Sequence, residues 1–420
     1  MSAFINYFAD DTRSSPINLA VVRVLLGAYV LWRVVSLDWG FYQEWPRHFN
    51  PPIAFLHQDI FLALLGYQQW MVAALLVGFI VGYRTRWTGG LASLLLMHML
   101  SVKSTLYLAG TVESLFVCAY IILMFALFHD TDDDVLSVDA IRQTGEQSLS
   151  ELNAFLKSDP ERTYRMTVLK WSLLAVGIIY VGSAWGKFLN GPIDIWLSGT
   201  ELQRDILFSQ EVTGIERPLA EPILANDFLS WAGFVGTALI QVSLLIAVVL
   251  GLPITLSALG LIGFHLGVIA MLGLYFIDMI LVLSLFAAWD VVYRRLAASD
   301  DESVQVVYDE RCYFCARSLY PFKHLDVNDS VQFYSQSDVP RELIDRDDVD
   351  LESELYLFRD GEAYGGYEAF RQLFAQFWVF LPLTLLMALP PVRVVGDRVY
   401  AYIARNRSRH FVCSIDAEQS

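Results

Sequence analysis

The stretch "VVYDERCYFCARSLY", residues 306–320, reads as a short β-branched strand, a tight turn and a helix opened by two cysteines. A helix N-terminus carries partial positive charge, so Cys312 placed there is favoured as thiolate. The three-residue offset puts Cys315 one turn further on, where its thiol can close on the first. Downstream, "ELYLFRDGEAYGGYEAF", residues 354–370, has two strand-like runs around Asp-Gly and then a helical pattern. Together these segments predict a small α/β unit over residues 303–420.

The chain has four cysteines, Cys118, Cys312, Cys315 and Cys413, too few for a disulfide-built scaffold. Cys312, Cys315, His410 and Cys413 would also make a four-ligand zinc set, but a strand-to-helix CxxC suits thiol exchange better. No metal is therefore expected. The run "LPLTLLMALPP", residues 381–391, is apolar but too short to span a bilayer, which leaves core or membrane-surface contact for it.

Upstream the composition changes. Of 420 residues 55% are hydrophobic, yet the net charge is −16. The two are segregated: residues 17–296 are a series of apolar blocks, while 130–161 and 300–360 hold much of the acid. A pI near 4.8 offers no basic surface to displace phosphate counterions, which excludes nucleic acid as a partner. Acidic runs such as "DTDDD" and "DRDDVD" read as solvated surface, of the kind that suits a salt-loving (halophilic) host.

Apolar runs of about 20 residues are the transmembrane signal. Eight occur, at about 17–37, 67–83, 87–106, 111–129, 165–186, 228–250, 253–272 and 274–293, with an interfacial helix expected over 52–66. The first contains Arg23 and Arg33 and lacks a small-residue cleavage site, so it is expected to be a retained helix. The fold class is thus an α-helical polytopic membrane domain, residues 1–298, followed by the small α/β domain.

Lys and Arg near the helix ends number nine on one side and five on the other when the N-terminus lies inside. Both termini and the dithiol are then expected in the cytoplasm. Residues 130–161 become a cytoplasmic segment with an amphipathic stretch, and 187–227 a long outer loop able to lid a site.

Ionisable residues inside a bilayer cost about 2.5–3.5 kcal/mol or more and mark candidate sites. Arg33, His98, Glu113, Lys187, His265 and Asp278 all fall in the outer halves of their expected helices, as an outward polar pocket requires. Snorkelling explains Lys187 equally well, and a structural ion pair explains Arg33 with Glu113.

"YVGSAWGKFLNGPIDIWLSGTEL", residues 180–202, resembles vitamin K-dependent γ-carboxylases and their bacterial relatives, the HTTM membrane family. "FHLGVIAMLGLYFIDMILV" at 264–282 and "GYRTR" at 82–86 are also similar, and the likeness covers about residues 10–296. The resemblance implies that Lys187 is the base that deprotonates a reduced lipid quinone of the vitamin K or menaquinol type. Oxygen and, for carboxylation, CO2 are the implied co-reactants. The implied pocket adds Trp185 and Trp196 to the ionisable set. Ser104 and Thr105 stand where animal carboxylases carry a His/Asn region, and no large extracytoplasmic domain follows, so quinol oxygenation transfers better than carboxylation.

"VQVVYDERCYFCARSLYPFKHL" at 304–325, with the segment through "DRVYAYIARNRSRHFVC" at 397–413, resembles the DCC family of thiol-disulfide oxidoreductases, which implies a thioredoxin-like domain. That family usually has Asp-Gly before its first cysteine, and Glu310 and Arg311 stand there instead. The combined expectation is a membrane redox enzyme whose partners are the lipid bilayer, a lipid quinone and a glutamate- or disulfide-containing protein. Its rivals are a membrane-anchored protein-disulfide reductase with scaffold helices, and a transporter or immunity protein.

Overall fold

Punctuation by Gly, Pro and capping residues divides the apolar blocks into helices. A computed structural model describes residues 13–39, 63–104, 114–129, 134, 136–158, 164–165, 167–189, 193–296, 304–326, 329–344, 349–350, 354–377 and 380–406. Its main helices in chain order begin with α1 (Pro16–Ser36), α2 (Leu65–Val81), α3 (Thr85–Ser104), α4 (Ser114–Phe128), α5 (Val138–Gln143) and α6 (Leu149–Lys157). They continue with α7 (Thr167–Leu189), α8 (Ile193–Ser198), α9 (Thr200–Thr213), α10 (Asp227–Leu250), α11 (Thr255–Leu272), α12 (Ile277–Leu285) and α13 (Trp289–Leu296). The chain divides into two units, and residues 134–164 group with 288–420 rather than with the helices on either side of them in sequence.

Among the described residues four helices are long and apolar enough to cross a membrane: Pro16–Ser36, Thr167–Gly186, Asp227–Leu250 and Thr255–Leu272. These four match four of the eight expected spans, and the other four blocks fall short of that length or hydropathy. Leu65–Val81 and Ser114–Phe128 are apolar but short. α3 carries Arg86, His98 and Lys103, which lower its hydropathy. The block expected over 274–293 is broken between α12 and α13, and α13 is amphipathic, with Arg294 paired to Asp290 at 3.2 Å. The described part of the expected outer loop is largely helical, as α8 and α9.

Buried polar groups in this unit tie helix ends together. Gly82 takes φ +70 to close α2, which turns the chain into α3. Arg86 of the same "GYRTR" turn donates through Nε and Nη2 to the His129 carbonyl, at 2.9 and 2.6 Å, just past α4. Arg23, fully buried, donates to the Phe79 and Ile80 carbonyls at the end of α2, where a cation meets the negative end of the helix dipole. Gly177 lets α7 approach α10 closely: a Cβ there would lie 3.0 Å from the Leu245 Cα.

The second unit is a mixed four-stranded sheet with helices. Its elements are β1 (Val304–Tyr308), α14 (Tyr313–Leu325), β2 (Val331–Ser335), β3 (Tyr356–Arg359), β4 (Glu362–Gly365), α15 (Gly366–Ala375), α16 (Leu381–Met387) and α17 (Pro390–Asn406). The order across the sheet is β2-β1-β3-β4. β1 pairs parallel with β2, Val304 opposite Val331, and antiparallel with β3, Val306 opposite Leu357. Asp360 and Gly361 both have positive φ, +53 and +78, the two-residue turn that Asp-Gly favours between β3 and β4. As a central strand β1 is buried nearly throughout, and α14 lays Ala316, Leu319 and Phe322 on the core.

Candidate functional site: a dithiol at a helix N-terminus

The site is built where β1 hands over to α14. The Asp309 side chain accepts from the Arg311 amide at 2.9 Å and its carbonyl accepts from the Cys312 amide at 3.1 Å, which folds the turn. Cys312 then occupies the N-cap of α14 with extended backbone. Its Sγ accepts from the Cys315 amide at 3.2 Å, the role a Ser or Asp oxygen usually plays at that position. Both cysteines are free thiols and nearly buried, 6% and 4% exposed. The cap hydrogen bond and the helix end both favour negative charge on Cys312 Sγ.

Beside Cys315 lies a mostly apolar crevice. Phe314, Leu355, Phe370 and Tyr400 line it with Ser318 and Ile403. Tyr400 of α17 fixes one wall, its hydroxyl accepting from the Leu355 amide at 3.1 Å. Gly396 seats that helix: a Cβ there would collide with the Tyr367 ring.

On another side of α14 lie α5 and α6, within the same unit. The Tyr313 hydroxyl donates to the Thr144 carbonyl at 2.7 Å, and Arg317 donates to Thr144 Oγ1 at 3.2 Å and to the Ile141 carbonyl at 2.8 Å. Phe155 packs on Tyr320 and on His324, each at 4.6 Å between ring centroids. Residues 313, 317, 320 and 324 form one helical stripe, so this segment straps the helix that carries the dithiol. At its end Asn153 donates to the Glu310 carbonyl at 2.8 Å, inside the turn before Cys312.

Lys157 bonds Asp338 and lies 3.7 Å from Glu310. The Asp338 hydrogen bond, aided by both carboxylates, raises the Lys157 pKa above its ordinary value. Glu310 is held below its usual range chiefly by hydrogen bonds from Ser337 and Ser335, with Lys157 adding to them, and Asp338 chiefly by Lys157. Burial holds His324 down at about 4, so its ring is neutral near pH 7. Burial also raises the Tyr308 phenol, whose hydroxyl has no hydrogen-bond partner among the described residues.

The described members of the pocket expected in the helical unit have the following neighbours. His98 Nδ1 lies 2.8 Å from Gln68 Oε1, buried between α3 and α2. Ser114 donates to Asp278. Tyr180 Oη lies 2.6 Å from His265 Nε2, and His265 Nδ1 is buried without a partner among the described residues. Arg33 is half-buried on α1, while Trp185 points outward from α7, 62% exposed. Lys187 lies in the last turns of α7 and Trp196 in α8, but their side chains are outside the described residues, as are Glu113, Thr105, His410, Cys413 and the Ser104 side chain.

Sequence reasoning missed Tyr180 and every strap contact. The capping box Ser148–Glu151 announces helix α6 but says nothing of its partner.

Comparison with curated proteins and with solved structures gives no match. A family match falls outside residues 10–296, so the carboxylase resemblance rests on its motifs alone. It falls on the dithiol unit: residues 306–413 match the family model of the DCC1-like thiol-disulfide oxidoreductases.

Proposed function

We propose that the chain is a membrane-anchored thiol-disulfide oxidoreductase in which Cys312 attacks and Cys315 resolves. The observation that carries this reading is Cys312 Sγ at the N-cap of α14 with the Cys315 amide on its sulfur. The β1–α14–β2 crossover followed by the β3–β4 hairpin and α15 supports a thioredoxin-like reading of the unit. In the reducing direction the Cys312 thiolate attacks one sulfur of a substrate disulfide, and the other substrate sulfur leaves as thiolate and takes a proton. Cys315 then gives up its proton and attacks Cys312 Sγ, releasing the second substrate thiol. Two electrons have passed to the substrate, and a Cys312–Cys315 disulfide remains for a cytoplasmic thiol reductant to reopen.

Both termini lie in the cytoplasm in this reading, since Lys and Arg crowd that side of the helices. In this reading α2, α3, α4 and α12 also cross, which completes about eight spans. Insulin reduction by the purified chain is the test. Wild type is expected to reduce insulin, Cys312→Ser to be inactive, and Cys315→Ser to accumulate a mixed disulfide. Insulin left intact by folded wild type rejects the reading.

A second reading rests on the Tyr180–His265 pair. The orphan His265 Nδ1 is a buried polar atom that a hydroxyl or carbonyl of a lipid quinone would satisfy, so the residues fit that group. Tyr180 and His265 would orient the ring. Lys187, seven residues after Tyr180 in the sequence, would take the proton. When bound, the quinol supplies the oxygen chemistry that the γ-carboxylase resemblance implies, with CO2 needed only for carboxylation of a glutamate-containing protein. Loading with menaquinol or vitamin K hydroquinone under anaerobic conditions, then admitting oxygen, is expected to yield epoxide from wild type and none from Lys187→Ala. Equal yields from both would remove Lys187 from the reaction.

A further inference from the structure

The dithiol unit exposes a large aliphatic surface on α16 and α17. Leu381, Leu385, Leu386 and Leu389 are all exposed around α16, Leu385 at 70%, while Thr384 and Met387 turn inward. On α17 the residues turned toward the unit are Val392, Gly396, Tyr400 and Ile403. Val395, Val399 and Tyr402 follow one another at helical spacing along one outer flank, Val399 51% and Tyr402 66% exposed. Arg398 and Arg405 fall beside that stripe on the helical wheel, in a chain whose net charge is −16. An aliphatic face bordered by arginines is the pattern of a helix that lies in a membrane interface.

We propose that α16 and α17 rest on the bilayer surface, with the leucines and valines at the headgroup–acyl boundary and the arginines on anionic headgroups. Continuity of the chain selects this occupant. Residue 164 belongs to the dithiol unit, and the candidate span of α7 starts at Thr167, so the unit is tethered within three residues of a helix that enters the membrane. The inference rests on the reading that the chain spans a bilayer. It adds that the crevice beside Cys315, one wall of which is α17, works next to lipid, so its substrates are apolar or membrane-borne disulfides.

The test uses the full chain in nanodiscs containing phosphatidylglycerol, with Cys118→Ala and the other three cysteines changed to serine. A nitroxide is placed singly at Leu385→Cys, Val399→Cys, Glu362→Cys on the exposed β3–β4 hairpin, or Ile246→Cys on candidate span α10. Power saturation compares collision with oxygen and with a water-soluble nickel chelate. Labels at 385, 399 and 246 are expected to favour oxygen, and the label at 362 to favour nickel. Nickel-favoured labels at 385 and 399, or labels shielded from both reagents, overturn the docking. If the label at 246 does not favour oxygen, the spanning reading fails and takes this proposal with it. The unsubstituted chain gives a second reading: amides of 381–402 should exchange several-fold more slowly when phosphatidylglycerol is added to phosphatidylcholine nanodiscs. Equal rates also overturn the proposal.

Discussion

At the scale of the residue, Cys312 has two separable jobs. Its sulfur is the nucleophile and also the cap of α14, so replacement by serine keeps the cap and removes only the chemistry. Cys312→Ala loses both, and unfolding in denaturant should place it about 1 kcal/mol below Cys312→Ser. His324 makes a prediction about pH. Burial holds its folded pKa at about 4, below the ordinary value of 6.5. Between these values the unfolded chain takes up a proton and the folded one does not, so stability falls as pH drops from 6.5 towards 4. The full loss is on the order of 3 kcal/mol. His324→Phe, which also removes a buried nitrogen that has no partner among the described residues, should flatten that limb in thermal unfolding. An unchanged slope would mean the ring is solvated. Lys157 differs, because its ion pairs are well exposed: Lys157→Met should cost under about 1 kcal/mol, less still in high salt.

At the scale of the element, two contacts depend on what a helix meets. Asn153 holds the Glu310 carbonyl, so Asn153→Ala should speed amide exchange at residues 310–313 while leaving β3 and β4 unaffected. Uniform acceleration across the sheet would show global destabilisation instead. In the helical unit Gly177 meets the backbone of Leu245, and a valine there should overpack the α7–α10 contact at a cost of about 1–3 kcal/mol, read from thermal unfolding in detergent. The elements themselves were legible. The Asp-Gly hairpin, the CxxC helix and the long apolar helices follow from turn chemistry, N-capping and hydropathy. The break after α12 was not, because apolar composition continues to Ala288 while the backbone leaves the helix at Phe286.

At the scale of the whole molecule, residues 134–164 join a unit made otherwise of residues 15–17 and 288–420. A fragment starting at 288 would bare the Tyr313, Arg317, Tyr320 and His324 stripe of α14. Such a fragment should exchange its α14 amides faster than the intact chain, and a peptide of residues 134–158 should restore protection. Fast exchange that the peptide does not slow would reduce the strap to a passive linker.

The sequence by itself determined the local features: which runs are apolar enough to be helices in lipid, where Asp-Gly turns the hairpin, and that Cys312 opens a helix with Cys315 one turn on. Each depends on neighbours a few residues apart, where propensity and capping act. Only the tertiary structure decided that a segment between two apolar helices straps the dithiol helix, that Tyr180 is the partner of His265, and that Leu385 and Val399 face outward. Those outcomes pair residues 85 to 176 positions apart or choose a face by packing, and one sequence carries no term for such distances.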